Sequence, residues 1–296
     1  MPKKRRGKSL PLYASPGMVT LTRPIGPTPP PRLTFGTVTL PQPVETPPTI
    51  PRLPKGVIEN IVDHLHDRPM DLQACSLVAR GWRAPSQRYL FRKIRWTSDT
   101  FPGWRKHIPP HSAGLAGYAT TLIMVSLMEQ KKLGPIKRYF TSFRNVTSLT
   151  LRNLCFDDPI FDPGKVPVYF GHLKSGLKSL TLINASGSCG KLLSFTSFFP
   201  HLNHLTVSRP GDLVPPDPTI DLTYRPLQGT LFLRGHLNRH INLITLLARV
   251  SAPQCHTVRL EHWGRMRAND FDTLLKSCSK TLKILDVSAC KGQNPI

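Results

Sequence analysis

Apolar residues in the segment 51–96 recur at the spacing of α-helices. Five of them form one continuous stripe on a first predicted helix: Val57, Ile58, Ile61, Val62 and Leu65. Pro54 suits the first turn of this helix, and Asp71 suits the first turn of a second one. Gly81 separates the second helix from a third helical stretch that includes Ile94. Three short helices with tight connections share only a small core, so we expect a partner to cover part of their apolar surface.

Beyond residue 97 the hydrophobic pattern changes to a repeat of three apolar residues. Two residues separate the first from the second, and one residue separates the second from the third. Five copies have this spacing, centred on Leu149, Leu180, Leu205, Val258 and Leu285. A copy centred on Leu231 has its first leucine shifted to Leu227, and a weaker copy centred on Leu122 begins with Ala119. The centres are 27, 31, 25, 26, 27 and 27 residues apart. This period predicts one short parallel strand per copy, followed by a helix or an irregular return. Helices are predicted at Lys191 to Phe199, Ile241 to Val250 and Phe271 to Ser279.

The repeat period resembles that of leucine-rich repeats, which implies an α/β solenoid with a curved parallel sheet over residues 97–296. Asn153 and Asn184 stand near the place of the asparagine that is typical of these repeats. The later copies lack it, so the repeats are degenerate. No amphipathic helix follows the last predicted strand, and we expect an end that is exposed, covered by a partner or shortened by truncation.

Residues 1–50 are rich in proline and in positive charge, which predicts a disordered tail. Within it, the basic run Lys3–Lys8 resembles a nuclear localisation signal. The net charge of +23 divides into +6 for residues 1–50, +5 for residues 51–96 and +12 for residues 97–296. Such a field favours polyanions or acidic protein partners, and a general surface bias without a ligand is the alternative.

The six cysteines include no C-x-x-C pair, and Met1 leads into charged residues rather than into an apolar signal sequence. We therefore expect reduced thiols in a cytoplasmic and/or nuclear protein. The most apolar stretch, Leu122 to Met128, is far shorter than the ~20 residues that a transmembrane helix needs, so no membrane association is expected.

Four groups of residues in the segment 51–96 follow one another in a recognisable order. They are Leu53-Pro54, Ile58-x-x-Ile61-Val62-x-x-Leu65, Asp71-Leu72-x-x-Cys75-Ser76-Leu77-Val78-Ala79-Arg80-Gly81-Trp82 and Tyr89-Leu90-Phe91. Together they resemble the F-box, in the form common in mushroom-type fungi. Two positions depart from that pattern: Gly56 stands where a glutamate is frequent, and Ala79 stands where a cysteine is frequent. A three-helix piece of an all-α domain is the alternative interpretation.

The resemblance implies that a Skp-type adaptor binds this segment and links it to cullin and RING subunits. The residues that it places against the adaptor are Leu53, Pro54, Ile58, Ile61, Leu65, Leu72, Cys75, Leu77, Val78 and Trp82. The chain would then be a non-catalytic substrate-receptor subunit of an SCF-type ubiquitin ligase, with the repeats binding a target protein. The alternative is a basic nuclear protein that associates with nucleic acid, in which the F-box has a scaffold role without degradation.

Side chains alternate along a strand, so the residues between the inward-facing leucines lie on the open face of the predicted sheet. The central row is Thr150, Thr181, Thr206, Phe232, Arg259 and Asp286. The flanking rows are Arg152, Ile183, Ser208, Arg234 and Glu261 on one side, and His204, Thr230 and Thr257 on the other. The candidate contacts to a target are Arg152, His204, Phe232, Arg234 and Arg259. The arginines suit a carboxylate or phosphate and Phe232 suits an apolar anchor, with simple solvation as the alternative for the arginines.

No pattern in the sequence supports an active site, a metal site or a cofactor site. The run Gly187-Ser188-Cys189-Gly190-Lys191 imitates a phosphate-binding loop, but Ala185 and Leu192 stand where that loop needs glycine and a hydroxyl residue. The pairs His201/His204 and His236/His240 have no third ligand at zinc-like spacing. A G-x-S-x-G nucleophile motif does not occur. We therefore predict a binding protein rather than an enzyme.

Overall fold

The computed structural model describes residues 53–97, 99–107, 113–126, 137–215, 225–235, 240–250, 254–261 and 268–288. The predicted tail at 1–50, with its candidate localisation signal Lys3–Lys8, lies outside the described residues. The described chain is α/β, with a nine-stranded parallel sheet accompanied by helices.

Three helices come first, as the hydrophobic spacing predicts. They are α1 (Lys55–His64), α2 (Pro69–Val78) and α3 (Arg80–Leu90). Two details of the prediction are wrong: Gly81 lies inside α3, and Ile94 belongs to strand β1 (Lys93–Trp96). In β1 exposed Lys93 and Arg95 alternate with buried residues, and this period of two is that of a strand. The sheet thus begins inside the segment 51–96, whose division from 97–296 into two domains stays a prediction.

The three helices share a core of only three buried side chains, Ile58, Val62 and Leu72. Leu65, Trp82, Tyr89 and Leu90 are half-buried and pack around this core. The Tyr89 hydroxyl donates a hydrogen bond of 2.6 Å to Asp63 Oδ1, which ties α3 to α1. Asp63 thereby raises the pKa of Tyr89 above its ordinary value of 10.0. A core of this size leaves most of the apolar residues of α1 and α2 at the surface.

The strands after β1 all pair in parallel. They are β2 (Thr121–Val125), β3 (Ser148–Cys155), β4 (Ser179–Ser188), β5 (His204–Ser208), β6 (Leu213–Val214), β7 (Gln228–Arg234), β8 (Gln254–Glu261) and β9 (Ile284–Ser288). Eight of the nine stand in chain order across the sheet, and the short β6 pairs with the end of β4. If β6 is set aside, each strand therefore pairs with the strand that precedes it in the sequence.

The register confirms the strand positions that the repeat predicts. The seven repeat centres pair side by side: Leu122, Leu149, Leu180, Leu205, Leu231, Val258 and Leu285. The first six are fully buried. On β9, however, Leu285 and Val287 are exposed, so the prediction that every repeat leucine faces a core is wrong there. In the described part of the chain, β9 is the last strand and no helix follows it to cover these side chains.

Short helices return the chain between strands. They are α4 (Thr100–His107), α5 (Ala113–Ala116), α6 (Val166–Phe170), α7 (Cys189–Ser197), α8 (Ile241–Val250) and α9 (Ala268–Cys278). The three helices that the sequence predicts between strands correspond to α7, α8 and α9. Phe195 of α7 lies among four other phenylalanine rings, with centroids 4.9 to 6.1 Å away. Within the described residues, no helix has the length and apolar content needed to cross a membrane.

In five strands, the residue directly after the flanking row that contains Arg152 has a left-handed backbone conformation. Ser126, Asn153, Asn184 and Arg209 have φ values of 51°, 54°, 54° and 48°, and Gly235 has a φ of 125°. The Asn184 amide donates to Asn153 Oδ1 at 2.9 Å, and the Asn153 amide donates to Ser126 Oγ at 3.0 Å. Asparagine tolerates this conformation better than most residues, which explains its presence at these two positions.

Candidate binding surfaces

The surface of α1 and α2 carries an unusual share of exposed aliphatic side chains. Of the eleven large hydrophobic residues that are exposed in the described chain, six lie here: Leu53, Val57, Ile61, Met70, Leu77 and Val78. Met70, Leu77 and Val78 are the most exposed, at 76%, 77% and 71%. We call these six residues the apolar surface of α1 and α2. Apolar groups concentrated in this way mark a site of interaction with another molecule.

The residues predicted to contact an adaptor separate into three groups. Leu53, Pro54, Ile61, Leu77 and Val78 are exposed. Leu65, Cys75 and Trp82 are half-buried. Ile58 and Leu72 are buried in the small core, so the expectation that their side chains lie on the binding surface is corrected. An apolar stripe on a helix does not reveal which of its edges packs internally and which remains free, and the division is set by the neighbouring helices.

Two residues of the apolar surface, Val57 and Met70, are absent from the predicted contacts. Val57 stands four positions before Ile61, so the two side chains share one side of α1. Met70 stands seven positions before Leu77, which also puts these two on one side of α2. The helical spacing was therefore a sufficient signal for both residues, once the buried sides of the two helices are known.

The open face of the sheet has the rows that the alternation of side chains predicts. The central row Thr150, Thr181, Thr206, Phe232, Arg259 and Asp286 consists of residues paired strand to strand. Its members are half-buried or exposed, whereas the repeat centres beside them on β3 to β8 are buried. This face is polar in the middle and carries charged residues towards β9, so it can receive hydrogen bonds and ion pairs from a bound molecule.

Two of the predicted target-binding arginines are already paired within the chain. Arg234 Nε lies 3.1 Å from Glu261 Oε2, and Arg259 Nε lies 3.8 Å from Asp286 Oδ2. The acids stand beside the arginines because each pair occupies the same row on adjacent strands. In the free chain each of these guanidinium groups thus has a carboxylate beside it, and contact of either arginine with a target stays a prediction. Such exposed pairs contribute little to stability, and a ligand can compete for them.

The other predicted target contacts keep their places on the open face. His204 is exposed at the start of β5, and Phe232 is half-buried in the centre of β7. Arg152 of β3 is half-buried, and its Nε atom is buried without a hydrogen-bond partner in the described part of the chain. Unlike Arg234 and Arg259, Arg152 has no ion-pair partner among the described residues.

The loop that imitates a phosphate-binding loop is filled by carboxylates of the chain itself. The Ser188 amide donates to Asp157 Oδ1 at 3.0 Å, and Lys191 Nζ lies 2.6 Å from Asp162 Oδ1. The hydrogen bond from Lys191 is the main cause that lowers the pKa of Asp162. These contacts use the amide and the ammonium group that a nucleotide phosphate would need, in agreement with the failure of the motif spacing.

The histidine pairs do not come together as ligands in the described chain. His201 and His204 are exposed, and His236 lies outside the described residues. His240 is buried, which lowers its pKa to about 4, and its Nε2 atom lies 3.3 Å from the Arg234 carbonyl oxygen. Among the described residues, three or more His, Cys, Asp or Glu side chains are nowhere close enough to share a metal ion.

Comparison with known proteins adds no relative to these observations. A scan against protein-family models gives no match, and a search of the curated proteins gives none either. Two surfaces of the chain are candidates for binding: the apolar surface of α1 and α2, and the open face of the sheet.

Proposed function

We propose that this protein is the substrate-receptor subunit of an SCF-type cullin–RING ubiquitin ligase, in the cytoplasm or the nucleus. In this proposal α1, α2 and α3 act as an F-box that binds a Skp-type adaptor, and the sheet acts as a leucine-rich-repeat solenoid that binds a target protein. The observation that carries the proposal is the apolar surface of α1 and α2, where six large hydrophobic side chains are exposed on two short helices.

This surface is large enough to contribute a substantial part of the binding free energy. Weighted by their exposed fractions, the six side chains equal about three and a half fully exposed ones. Burying a Val, Leu, Ile or Met side chain contributes about 1.5–3 kcal/mol, which gives a gross gain of about 5–10 kcal/mol. Association costs at least about 4 kcal/mol, so further polar and apolar contacts with the partner must supply the remaining affinity.

The small internal core supports the same assignment. Only Ile58, Val62 and Leu72 are buried hydrophobic residues of the three helices, and the exposed apolar residues of α1 and α2 gain little from the fold of the free chain. Selection for stability alone would favour polar residues at positions as exposed as Leu77 and Val78. A partner that buries them gives a physical reason for their presence.

Ubiquitin transfer in this proposal takes place on the partner subunits, and the chain contributes proximity. A scaffold that holds a target near the transferring subunit replaces a bimolecular encounter by an effectively intramolecular one. The open face of the sheet offers hydroxyl groups, the half-buried ring of Phe232 and the guanidinium group of Arg152 for the target. These groups suit recognition rather than bond breaking.

The test is binding of a purified Skp-type adaptor to the intact chain and to the double variant Leu77→Asp, Val78→Asp. We expect the wild-type chain to bind and the double variant to lose at least about 100-fold in affinity, because two charges would be buried in the interface. Thermal unfolding of the variant should remain within about 2 °C of the wild type, since both side chains are more than two-thirds exposed.

The matched control is Val168→Asp, Val214→Asp, which changes two exposed valines far from α1 and α2 in the sequence. This control should bind the adaptor as the wild type does. The proposal fails if the wild-type chain does not bind the adaptor, or if the two double variants bind it equally well.

A further inference from the structure

A run of exposed cations without a single acid covers α3 and β1. Between residues 80 and 95 the sequence has six basic residues and no Asp or Glu. All six are exposed: Arg80, Arg83, Arg88, Arg92, Lys93 and Arg95. We call these six residues the basic strip. It is distinct from the apolar surface of α1 and α2.

The two elements of the strip hold their cations on their outer sides. Arg80, Arg83 and Arg88 fall within an arc of about 140° on α3, and the side chains that pack inward, Ser86 and Tyr89, lie on the other side of the helix. Lys93 and Arg95 occupy the exposed positions of β1, where alternate residues are buried. A helix about 16 Å long and a strand thus present the charges from regular structure.

The charges of the strip are uncompensated within the described residues. None of the six side chains has an ion-pair partner there, whereas Lys55, Lys191 and Arg234 each lie within 4.0 Å of a carboxylate oxygen. Exposed Asp63 of α1 accepts the hydrogen bond of the Tyr89 hydroxyl. Six like charges on one short segment repel one another, and a bound anion would relieve this repulsion.

The side chains around the strip indicate which class of anion fits. A protein partner usually binds through a centre of exposed aromatic or aliphatic side chains, and a nucleic-acid backbone needs only cations and hydrogen-bond donors. No large hydrophobic residue between 80 and 95 is exposed, because Trp82, Tyr89, Leu90 and Phe91 are all half-buried and Ile94 is buried. Five of the six cations are arginines, whose planar guanidinium groups match phosphate oxygens in pairs.

The absence of exposed aromatic rings from the strip favours double-stranded over single-stranded nucleic acid. Proteins that bind single strands stack bases on exposed aromatic side chains, and the strip offers none in this segment. We propose that the basic strip binds the phosphate backbone of a nucleic-acid duplex without preference for its sequence. This activity is independent of the adaptor binding proposed above, because it uses other residues.

The test measures binding of the full chain to a fluorescent 24-base-pair DNA duplex of arbitrary sequence at salt concentrations from 50 to 200 mM. With six phosphate contacts, we expect the affinity to fall on the order of 10³-fold over this range. For the variant Arg83→Gln, Arg88→Gln, Arg95→Gln, the slope of log affinity against log salt concentration should be shallower by about 2 to 3. Each phosphate contact contributes about 0.9 to this slope.

The matched control is Lys276→Gln, Lys280→Gln, Lys283→Gln, which removes the same formal charge from three exposed lysines near β9. Its slope should differ from that of the wild type by less than about 0.5, because these lysines make no backbone contact in the proposal. The basic N-terminal tail is present in all three proteins, so its contribution cancels from the comparison. Circular dichroism should give the same spectrum for each.

Three outcomes would overturn the proposal. The first is that the strip variant and the lysine control change the slope equally, which would assign the effect to net charge alone. The second is tighter binding of a single strand than of the duplex. The third is that a polyglutamate peptide binds the strip with higher affinity than the duplex does at equal charge concentration, which would point to an acidic protein partner.

Discussion

Gly229 of β7 lies against the backbone of Asn203, the residue before β5, and its replacement by alanine tests this close approach. Gly229 has a φ of +86°, and the pairing of β7 with β8 shifts between Gly229 and Thr230. A methyl group on Gly229 would overlap the carbonyl oxygen of Asn203 and lie 3.0 Å from its carbonyl carbon. That carbonyl accepts a 2.7 Å hydrogen bond from the Thr230 amide. Alanine here therefore forces the two strands apart at a hydrogen-bonded position.

The expected loss of stability has two parts and one offset. A left-handed φ costs an alanine about 1–2 kcal/mol, and the weakened hydrogen bond from the Thr230 amide to the Asn203 carbonyl costs about 0.5–1.5 kcal/mol. The reduced freedom of the unfolded chain returns about 0.4–1 kcal/mol. The net destabilisation of Gly229→Ala is about 0.5–3 kcal/mol, which lowers the melting temperature by about 5 °C in a chain of this size.

The assay is thermal unfolding followed by circular dichroism, with Gly56→Ala as the matched substitution. Gly56 lies in α1 with no atom within 4 Å of an added methyl group. Alanine there should stabilise the helix by about 0.5–1 kcal/mol, so the two identical chemical changes should shift the melting temperature in opposite directions. A Gly229→Ala protein that melts no lower than the wild type would refute the close approach of Gly229 to Asn203.

Three further predictions concern the core and the titrating groups. Phe195→Ala should cost about 3–5 kcal/mol, measured by chemical denaturation, because the ring is fully buried among other phenylalanines; a cost under about 1 kcal/mol would contradict this packing. Burial lowers the pKa of His172 to about 4 from its ordinary 6.5, so as the pH falls the unfolded chain binds a proton at His172 before the folded chain does. The contribution of His172 to the free energy of unfolding should therefore be full above pH 6.5 and decrease as the pH drops towards 4. His172→Asn should reduce this dependence on pH, and the remainder should come from His240, whose pKa burial also lowers to about 4; an unchanged profile would contradict the burial of His172. The tyrosinate absorbance of Tyr89 should titrate above pH 10, and Asp63→Asn should bring the midpoint back towards 10; an unchanged midpoint would argue against their hydrogen bond.

The strands were predictable because burial leaves a regular trace in the sequence. Leu149 and Leu151 are both buried with exposed or half-buried residues between and beside them, and the same triplet returns at nearly constant distance. The helices of the segment 51–96 were equally visible in the spacing of Val57 and Ile61. Both patterns report which side chains leave water, and this is the largest contribution to the choice of structure.

The binding surfaces were less predictable because they depend on how elements meet. The side chain of Leu72 is as apolar as that of Leu77, but only the neighbouring α1 and α3 decide that the first is buried and the second is free. Ile94 continues an apolar pattern from α3, and only its pairing with Leu122 assigns it to a strand. The basic strip was missed for the same reason, since its cations come from a helix and a strand that the sequence did not separate.

The order of the strands affects how the sheet can form. Repeat centres on adjacent strands are between 25 and 31 residues apart in sequence. Because the entropy of closing a loop grows only with the logarithm of its length, the pairings differ in this cost by about 0.2 kcal/mol. Sheet formation can therefore start at any adjacent pair and spread in both directions, without waiting for a distant part of the chain. During synthesis, each strand finds its neighbour already in place once the next such interval of chain has left the ribosome.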